Sequence, residues 1–174
     1  MRDPAIGAVL DRLDRAEDAT FTAEYTIVTK YGGATTTAVV TQDGERRSTT
    51  IGTVRFIIDA AGSRTCDTVT GGCATGIDDA AVSDTQLTHQ FWYRAMANRL
   101  RTDAERDIAP ASASMYDVAG ATATCVAVPV IGGVKSYCAL DSGVLAGYDG
   151  ADLTIDLTDY SPEADPHLFA ASGT

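Results

Sequence analysis

The four cysteines of this chain fall into two local pairs, Cys66 with Cys73 and Cys125 with Cys138. Each pair lies in a stretch with the pattern of strand, turn and strand, so a bridge within each pair would join antiparallel neighbours. Two short bridges in a chain without a redox or metal motif are typical of an oxidising compartment outside the cytoplasm. We therefore predict two disulfides in a β-rich scaffold.

Two other states of the cysteines are open to the sequence. Structural zinc is usually held by closely spaced pairs such as Cys-x-x-Cys, whereas the intervals here are six and twelve residues and no histidine is nearby. A cytoplasmic protein with four free thiols is the second alternative. The paired spacing favours disulfides over both.

The charge of the chain excludes several kinds of partner. The formal net charge is −11, and only two of the thirteen basic residues are lysines, Lys30 and Lys135. Binding to nucleic acid or to anionic membranes depends on clustered basic residues, so we expect neither. The bias towards Arg, Ala, Asp, Gly and Thr fits a GC-rich genome such as that of an actinobacterium.

The length of 174 residues fits a single domain over 1–174. Charged residues within 1–15 exclude a signal peptide there, and we expect that a signal segment or a lipid anchor precedes Met1 in the natural protein. No apolar run is long enough to span a membrane. We predict a monomer whose tail, 161–174, is frayed apart from docking by Leu168 and Phe169.

Hydrophobic periodicity predicts the order helix, strands, helix, strands. The first helix is expected over 4–17 and the second over 84–105, where Asp84 has the pattern of a cap. Expected strands occupy 20–31, 35–42, 45–50, 54–59, 64–67, 118–130, 135–140, 144–148 and 153–159, and 110–114 is expected to be a linker. This order predicts an α+β fold with one antiparallel sheet and helices packed on a single face.

Large apolar side chains concentrate on the second helix and on two of the strands. We predict that a ligand-binding wall is formed by Leu87, Phe91, Trp92 and Met96 of the helix and by Tyr25, Ile27, Phe56 and Ile58 of the strands. Plain core packing is the other interpretation of the same residues. If they instead line a cavity, it would suit a lipid tail, because affinity rises with each buried methylene.

No catalytic set is evident, and we predict that the protein is not an enzyme. The two histidines are His89, expected on the surface of the second helix, and His167 in the tail. Ser83 and Asp84 precede His89, but no nucleophile elbow such as Gly-x-Ser-x-Gly occurs.

Metal and phosphate sites are not indicated either. Asp59, Asp67 and the pair Asp78-Asp79 lack the spacing of a calcium-binding loop. The Gly-Gly pairs at 71–72 and 132–133 are not followed by a helix with a lysine, so they do not form a phosphate cradle. We expect no metal and no cofactor.

The organisation of the chain resembles that of the LolA/LppX/LprG-like group, the lipoprotein-carrier fold, over roughly residues 5–160. The resemblance is carried by an opening helix before the strand FTAEYTIVTKYGG, by the aromatic mid-chain helix and by the late hairpin and strand CVAVPVIGGVKSYCALDSGVLAGY. It implies a strongly curved antiparallel sheet, an incomplete β-barrel, with helices packed on its concave face. Some carriers of the group place a functional arginine within the barrel strands, and Arg55 is the candidate here.

The resemblance implies an extracytoplasmic carrier of hydrophobic ligands, such as lipid or lipoprotein acyl chains, at the cell envelope. The alternative is a non-catalytic interaction or sensor domain of a membrane-tethered regulator, with a filled core. The first hypothesis predicts a lipid or small hydrophobic partner, and the second predicts a protein partner at the envelope.

Overall fold

The structure is a computed structural model that describes residues 3–172. Its main feature is a single antiparallel sheet of eleven strands. In chain order the strands are β1 (Phe21–Thr29), β2 (Thr35–Asp43), β3 (Arg46–Ile51), β4 (Val54–Asp59), β5 (Gly62–Asp67), β6 (Cys73–Thr75), β7 (Ser112–Val118), β8 (Ala121–Val130), β9 (Gly133–Leu140), β10 (Leu145–Asp149) and β11 (Leu153–Ser161).

The first and last strands are neighbours in the middle of the sheet. The spatial order is β6-β5-β4-β3-β2-β1-β11-β10-β9-β8-β7, so β6 and β7 are two free edges and the sheet does not close into a barrel. Two helices, α1 (Pro4–Arg15) and α2 (Met96–Glu105), lie against its concave face. The predicted fold class, a curved antiparallel α+β sheet with helices on the concave face, is confirmed.

Helix α1 forms where the sequence predicts it. The Asp3 carboxylate accepts a hydrogen bond from the Ala5 N–H at 2.8 Å, and Pro4 occupies the first turn, where its missing N–H has no cost. The apolar stripe Ile6, Val9, Leu10 and Leu13 is buried, and this stripe fixes the face that the helix turns to the sheet.

The predicted continuous helix from Asp84 is wrong. Residues 79–85 form a 3₁₀ segment, Gln86 has a left-handed backbone with φ +61°, and a π-helical turn over Phe91–Ala95 leads into α2. A left-handed residue ends a helix, so Leu87 and His89 lie in the connection rather than on the helix. Leu87 is nevertheless buried.

The strand β7 was predicted in part as a linker at 110–114. It instead starts at Ser112 and pairs with β8 around a tight turn in which Ala119 and Gly120 have positive φ. Its residues are exposed, apart from the half-buried Val118. Because neither of its faces is buried, it carries no apolar alternation that sequence periodicity could detect.

The main core lies on the face that α1 and α2 cover, here called the inner face. Alternate residues of β1, namely Phe21, Ala23, Tyr25 and Ile27, point into it, and β11 contributes Leu153, Ile155 and Leu157. The period of two in these strands is the pattern from which they were predicted. The opposite side of the sheet is called the outer face.

Both predicted disulfides are confirmed. Cys66 bonds Cys73 across β5 and β6, and Cys125 bonds Cys138 across β8 and β9. The members of each pair are direct cross-strand partners. The alternation of the strands places both bridges on the outer face, one at or beside each edge of the sheet.

A segment after β11, residues 162–172, lies across the outer face and is here called the C-terminal strap. Leu168 is buried in it, Arg46 stacks on the Phe169 ring at 4.3 Å, and the Asp165 N–H donates to the Thr22 hydroxyl at 2.9 Å. These contacts hold the described part of the segment for which fraying was predicted. Residues 173 and 174 of that segment lie outside the described residues.

Candidate binding site

The eight residues predicted as a ligand-binding wall meet between the inner face and the segment 87–96. Seven of them are buried and belong to one hydrophobic cluster, while Ile58 is half-buried. The Tyr25 and Phe91 rings meet edge to face with centroids 5.2 Å apart, and Trp92 meets Phe21 at 5.1 Å. The connection and the sheet therefore interdigitate through aromatic side chains.

Tyr25 fixes the centre of this contact. Its hydroxyl donates to the Leu145 carbonyl at 2.8 Å, which ties β1 to β10 across the inner face. Burial, together with the nearby Tyr160, raises the pKa of Tyr25 well above its usual value. The phenol therefore stays neutral and remains a donor.

The interior between these side chains is filled. The enclosed gap lined by Phe56, Ile58, His89 and Trp92 has a free volume of about 10 Å³. Sites for small organic ligands typically measure about 300–1,000 Å³, and a single water molecule needs about 10–15 Å³. In this conformation the seven buried residues are at most 4% exposed and pack against one another, and the gap beside them has no room for an acyl chain.

A charged group at the rim of the interior was missed by the sequence analysis. Arg47 donates to the Tyr93 hydroxyl at 2.5 Å and lies over its ring, and Glu17 pairs with both Arg47 and Arg94, at 3.4 and 3.1 Å. Burial raises the pKa of Tyr93, although Arg47 opposes this effect. The alternation of side chains along β3 places Arg47 on the inner face, and this alternation could have indicated the group from the sequence.

Arg55, the candidate for a functional arginine within the barrel strands, lies on β4 and points to the outer face. Its Nε donates to the Thr50 hydroxyl at 2.8 Å and its Nη1 donates to the Ala170 carbonyl at 2.9 Å. Burial lowers the pKa of Arg55, opposed by the charge of Asp165. Arg55 therefore anchors the C-terminal strap.

His89 is part of a structural contact. Its Nδ1 lies 2.9 Å from Asp79 Oδ2, and its backbone N–H donates to Asp79 Oδ1 at 2.7 Å. The Thr49 hydroxyl donates to the His89 carbonyl at 3.0 Å, which joins the connection to β3. Within residues 3–172, no group of three or more His, Cys, Asp or Glu side chains is placed to hold a metal ion.

A second, polar site lies beside α2 and has an open volume of about 380 Å³. Buried Asp103 accepts hydrogen bonds from Lys135 at 3.0 Å and from the Tyr137 hydroxyl at 2.5 Å, and Arg99 pairs with Asp152 at 3.1 Å. Burial and the bond to Asp103 raise the pKa of Tyr137. These charges compensate one another, so the site is a structural ion-pair network.

An open groove of about 450 Å³ lies on the outer face beside the C-terminal strap. Its walls include Glu24 and Val39 of the sheet and Leu168 of the strap. None of the described helices is long and apolar enough to cross a membrane.

An open, curved antiparallel sheet with helices against its concave face defines the LolA/LppX/LprG-like fold, and the chain has this fold. No protein-family model matches the chain, and no curated protein matches it significantly. The likeness therefore lies in the structure.

Among solved structures, the chain is similar to MucB in complex with MucA(peri), with a TM-score of 0.55 and 14% identity over 93% of this chain and 58% of MucB. It is also similar to the MucA/MucB complex of Pseudomonas aeruginosa, with a TM-score of 0.49 and 16% identity over 90% of this chain and 56% of that one. LprF from Mycobacterium bovis gives a TM-score of 0.49 and 10% identity over 97% and 99% of the two chains. The chain thus spans less than two thirds of the length of MucB.

Proposed function

We propose that this chain is a non-catalytic, extracytoplasmic binding domain whose partner is a protein. The observation that carries the proposal is the filled interior, which leaves about 10 Å³ where a carrier of acyl chains needs a cavity. A domain of this fold that does not hold its ligand inside has to use its surface. This corresponds to the second of the two sequence-based hypotheses.

The disulfides support an extracytoplasmic location. The chain has two formed bridges and no free cysteine among its described residues, and such bridges persist in oxidising compartments. A lipid anchor or a tether to a membrane regulator belongs to the same proposal.

The comparison with MucB supports a protein, rather than a lipid, as the partner. MucB was solved with MucA(peri), a protein, and its fold is similar to that of this chain at a TM-score of 0.55. At 14% identity the likeness shows the fold alone. That this chain also binds a protein is our proposal.

The test asks whether the purified chain carries a bound lipid or a bound protein. The chain is purified without denaturant from the envelope of its native host, and its mass is measured by native mass spectrometry. We expect the mass of the polypeptide alone, or of a complex with a second polypeptide that binds the purified chain at one-to-one stoichiometry by calorimetry. Stoichiometric lipid in the purified protein would contradict the proposal.

The second candidate function is the carrier of hydrophobic ligands. It is favoured by the irregular backbone of residues 79–95, which covers the apolar wall and is held by the polar contacts of His89 with Asp79 and Thr49. If this segment moved away, the wall of Tyr25, Phe91 and Trp92 would be open to a guest. One-to-one binding of a fluorescent fatty acid by the lipid-free chain would establish this function in place of the first.

A further inference from the structure

We propose that the free edge of β7 is the partner-binding surface, and that it takes an extended, basic segment of another protein as an additional strand. The inference rests on the proposed function and specifies its site and the chemistry of its partner. An exposed strand edge offers a row of unpaired N–H and C=O groups, which is the basis of recognition by strand addition.

The two edges of the sheet are protected to different degrees. At one edge, β6 has three residues and is cross-linked to β5 by the bridge between Cys66 and Cys73. At the other edge, β7 has seven residues and pairs with β8 in continuous register, without a bulge. Its sequence contains no proline, lysine or arginine. Apart from the single charge of Asp117, β7 lacks the devices that usually prevent pairing at an edge.

The register identifies the backbone groups that are free. The Cα atoms of Cys125 and Cys138 are 4.0 Å apart, the spacing of a non-hydrogen-bonded pair. The backbone groups of Cys125 therefore point towards β7, where its partner is Ser114. It follows that Ser114 and Tyr116 bond to β8, whereas Ala113, Met115 and Asp117 direct their N–H and C=O groups away from the sheet.

The side chains along this edge offer apolar contacts on both faces. Met115 is 68% exposed, and Tyr116, on the other face, is 42% exposed. The Tyr116 hydroxyl donates to the Ala146 carbonyl at 3.3 Å, so its ring is fixed across the outer face. Beyond the end of β7, the β8–β9 hairpin adds exposed Ile131 and Val134. Alternate residues of an added strand would meet Met115 on one face and Tyr116 on the other.

The charge of the molecule determines which segment fits this edge. The net charge is −11, and β7 itself carries Asp117 as its one charged residue. A second copy added at this edge would bring together two strongly acidic molecules, which repel each other. A basic segment of another protein is instead attracted to a molecule of this net charge.

The test removes one outward N–H without disturbing the fold. Ala113→Pro deletes a donor that faces solvent, a position at which an edge strand tolerates proline. Ala113→Val keeps the donor and is the matched control. The probe is a synthetic peptide of about eight residues in which valine alternates with lysine, and the comparison peptide replaces lysine with glutamate. Binding is measured by fluorescence anisotropy, and the fold of each variant by circular dichroism.

We expect the unmodified chain to bind the lysine peptide at least about tenfold more tightly than the glutamate peptide. Ala113→Pro should weaken binding of the lysine peptide at least about tenfold, and Ala113→Val should change it by less than about twofold. Amide hydrogen exchange at Ala113, Met115 and Asp117 should slow when the lysine peptide is present, because their N–H groups become bonded.

Several results would overturn the inference. These are no binding of the lysine peptide, equal binding of both peptides, or equal binding by the proline variant. A dimer of the unmodified chain that Ala113→Pro dissociates in sedimentation would make a second copy the occupant. If a partner protein recovered from the envelope still binds the proline variant, the proposed function stands and this edge is not its site.

Discussion

Gly143, in the turn between β9 and β10, shows how one residue sets the distance between a helix and the sheet. Its φ is +96°, and a Cβ there would overlap the Arg12 carbonyl and lie 2.7 Å from the Ala16 nitrogen at the end of α1. The backbone of α1 therefore approaches the turn to a distance that only glycine allows.

We expect Gly143→Ala to lower the free energy of unfolding by at least about 3 kcal/mol, because both the left-handed backbone and the overlap with α1 are penalised. Gly132→Ala is the matched control, since Gly132 has φ +86° with no atom within 4 Å of an added Cβ. It should lose only about 1–2 kcal/mol. Urea unfolding followed by Trp92 fluorescence measures both losses, and equal losses would show that α1 can move away.

Asp152 gives the stability of the protein an acid-range pH dependence. Partial burial raises its pKa, but the hydrogen bond and charge of Arg99 outweigh this effect, so the pKa of Asp152 is lowered. A carboxyl group with a lowered pKa stabilises the fold above its unfolded value of about 4, and this contribution is lost as the pH falls through the folded value.

Asp152→Asn should therefore flatten the fall in unfolding free energy below about pH 4. Arg99→Gln removes the cause of the shift and should flatten it as well. A residual slope is expected from Asp59, whose pKa is lowered by the Ala61 N–H and by Arg64. Urea titrations at a series of pH values measure the slope, and an unchanged slope in both variants would exclude the pair as its source.

At the scale of elements, the C-terminal strap is an independent layer on the outer face. Leu168 is buried but lies outside the main hydrophobic cluster, and Arg55 and Thr22 hold the strap by hydrogen bonds. The strap should therefore open without unfolding of the inner core.

Leu168→Ala should increase amide exchange and proteolysis within 163–170 by about tenfold or more, because the main apolar anchor of the strap is removed. Exchange in β1 should stay unchanged. Leu168→Met, which keeps the volume, is the control and should leave both regions protected. Faster exchange in β1 of the alanine variant would show that the strap and the core unfold together.

The elements that sequence predicted best are those with one buried face. Strand β4 has its predicted bounds, 54–59, because a short apolar run is bounded by turn residues on both sides. The start of α2 was not predictable, since the cap-like Asp84 precedes a left-handed Gln86 whose conformation is set by its surroundings. β7 gave no signal because both of its faces are exposed.

The sequence was sufficient to predict which residues of the candidate site come together. It was not sufficient to predict the free volume between them. Tyr25 and Phe91 each lie on an apolar face, and the single-sheet topology is enough to bring such faces together. The free space between them depends on fractions of an ångström in how closely segment 87–96 approaches the sheet. That distance is set by contacts far apart in sequence, such as the bond from the Thr49 hydroxyl to the His89 carbonyl.

At the scale of the whole molecule, the disulfides reinforce a fold that has a sufficient core of its own. A chain of this length buries about 70% of its unfolded surface, and one large apolar cluster fills the inner face. Both bridges lie on the outer face; Cys125 and Cys138 also belong to that cluster, whereas Cys66 and Cys73 do not.

Removing either bridge should destabilise the protein without unfolding it. Paired alanine substitution of Cys66 and Cys73 should lower the unfolding free energy by about 2.5 kcal/mol, and of Cys125 and Cys138 by about 3 kcal/mol, because the second bridge closes the longer loop. Chemical denaturation of both paired variants measures the losses. Failure of either variant to fold would show that its bridge is required for the sheet to form.

The pairing of β1 with β11 in the middle of the sheet has a consequence for how the protein is made. A nascent chain emerges from its N-terminal end, so β1 has one lateral neighbour, β2, until β11 has been synthesised. The two halves of the sheet can each begin to form as local hairpins, but they join only when the last strand arrives, and contacts between such distant segments form slowly. We therefore expect the seam between β1 and β11 to close last, after β11 has emerged.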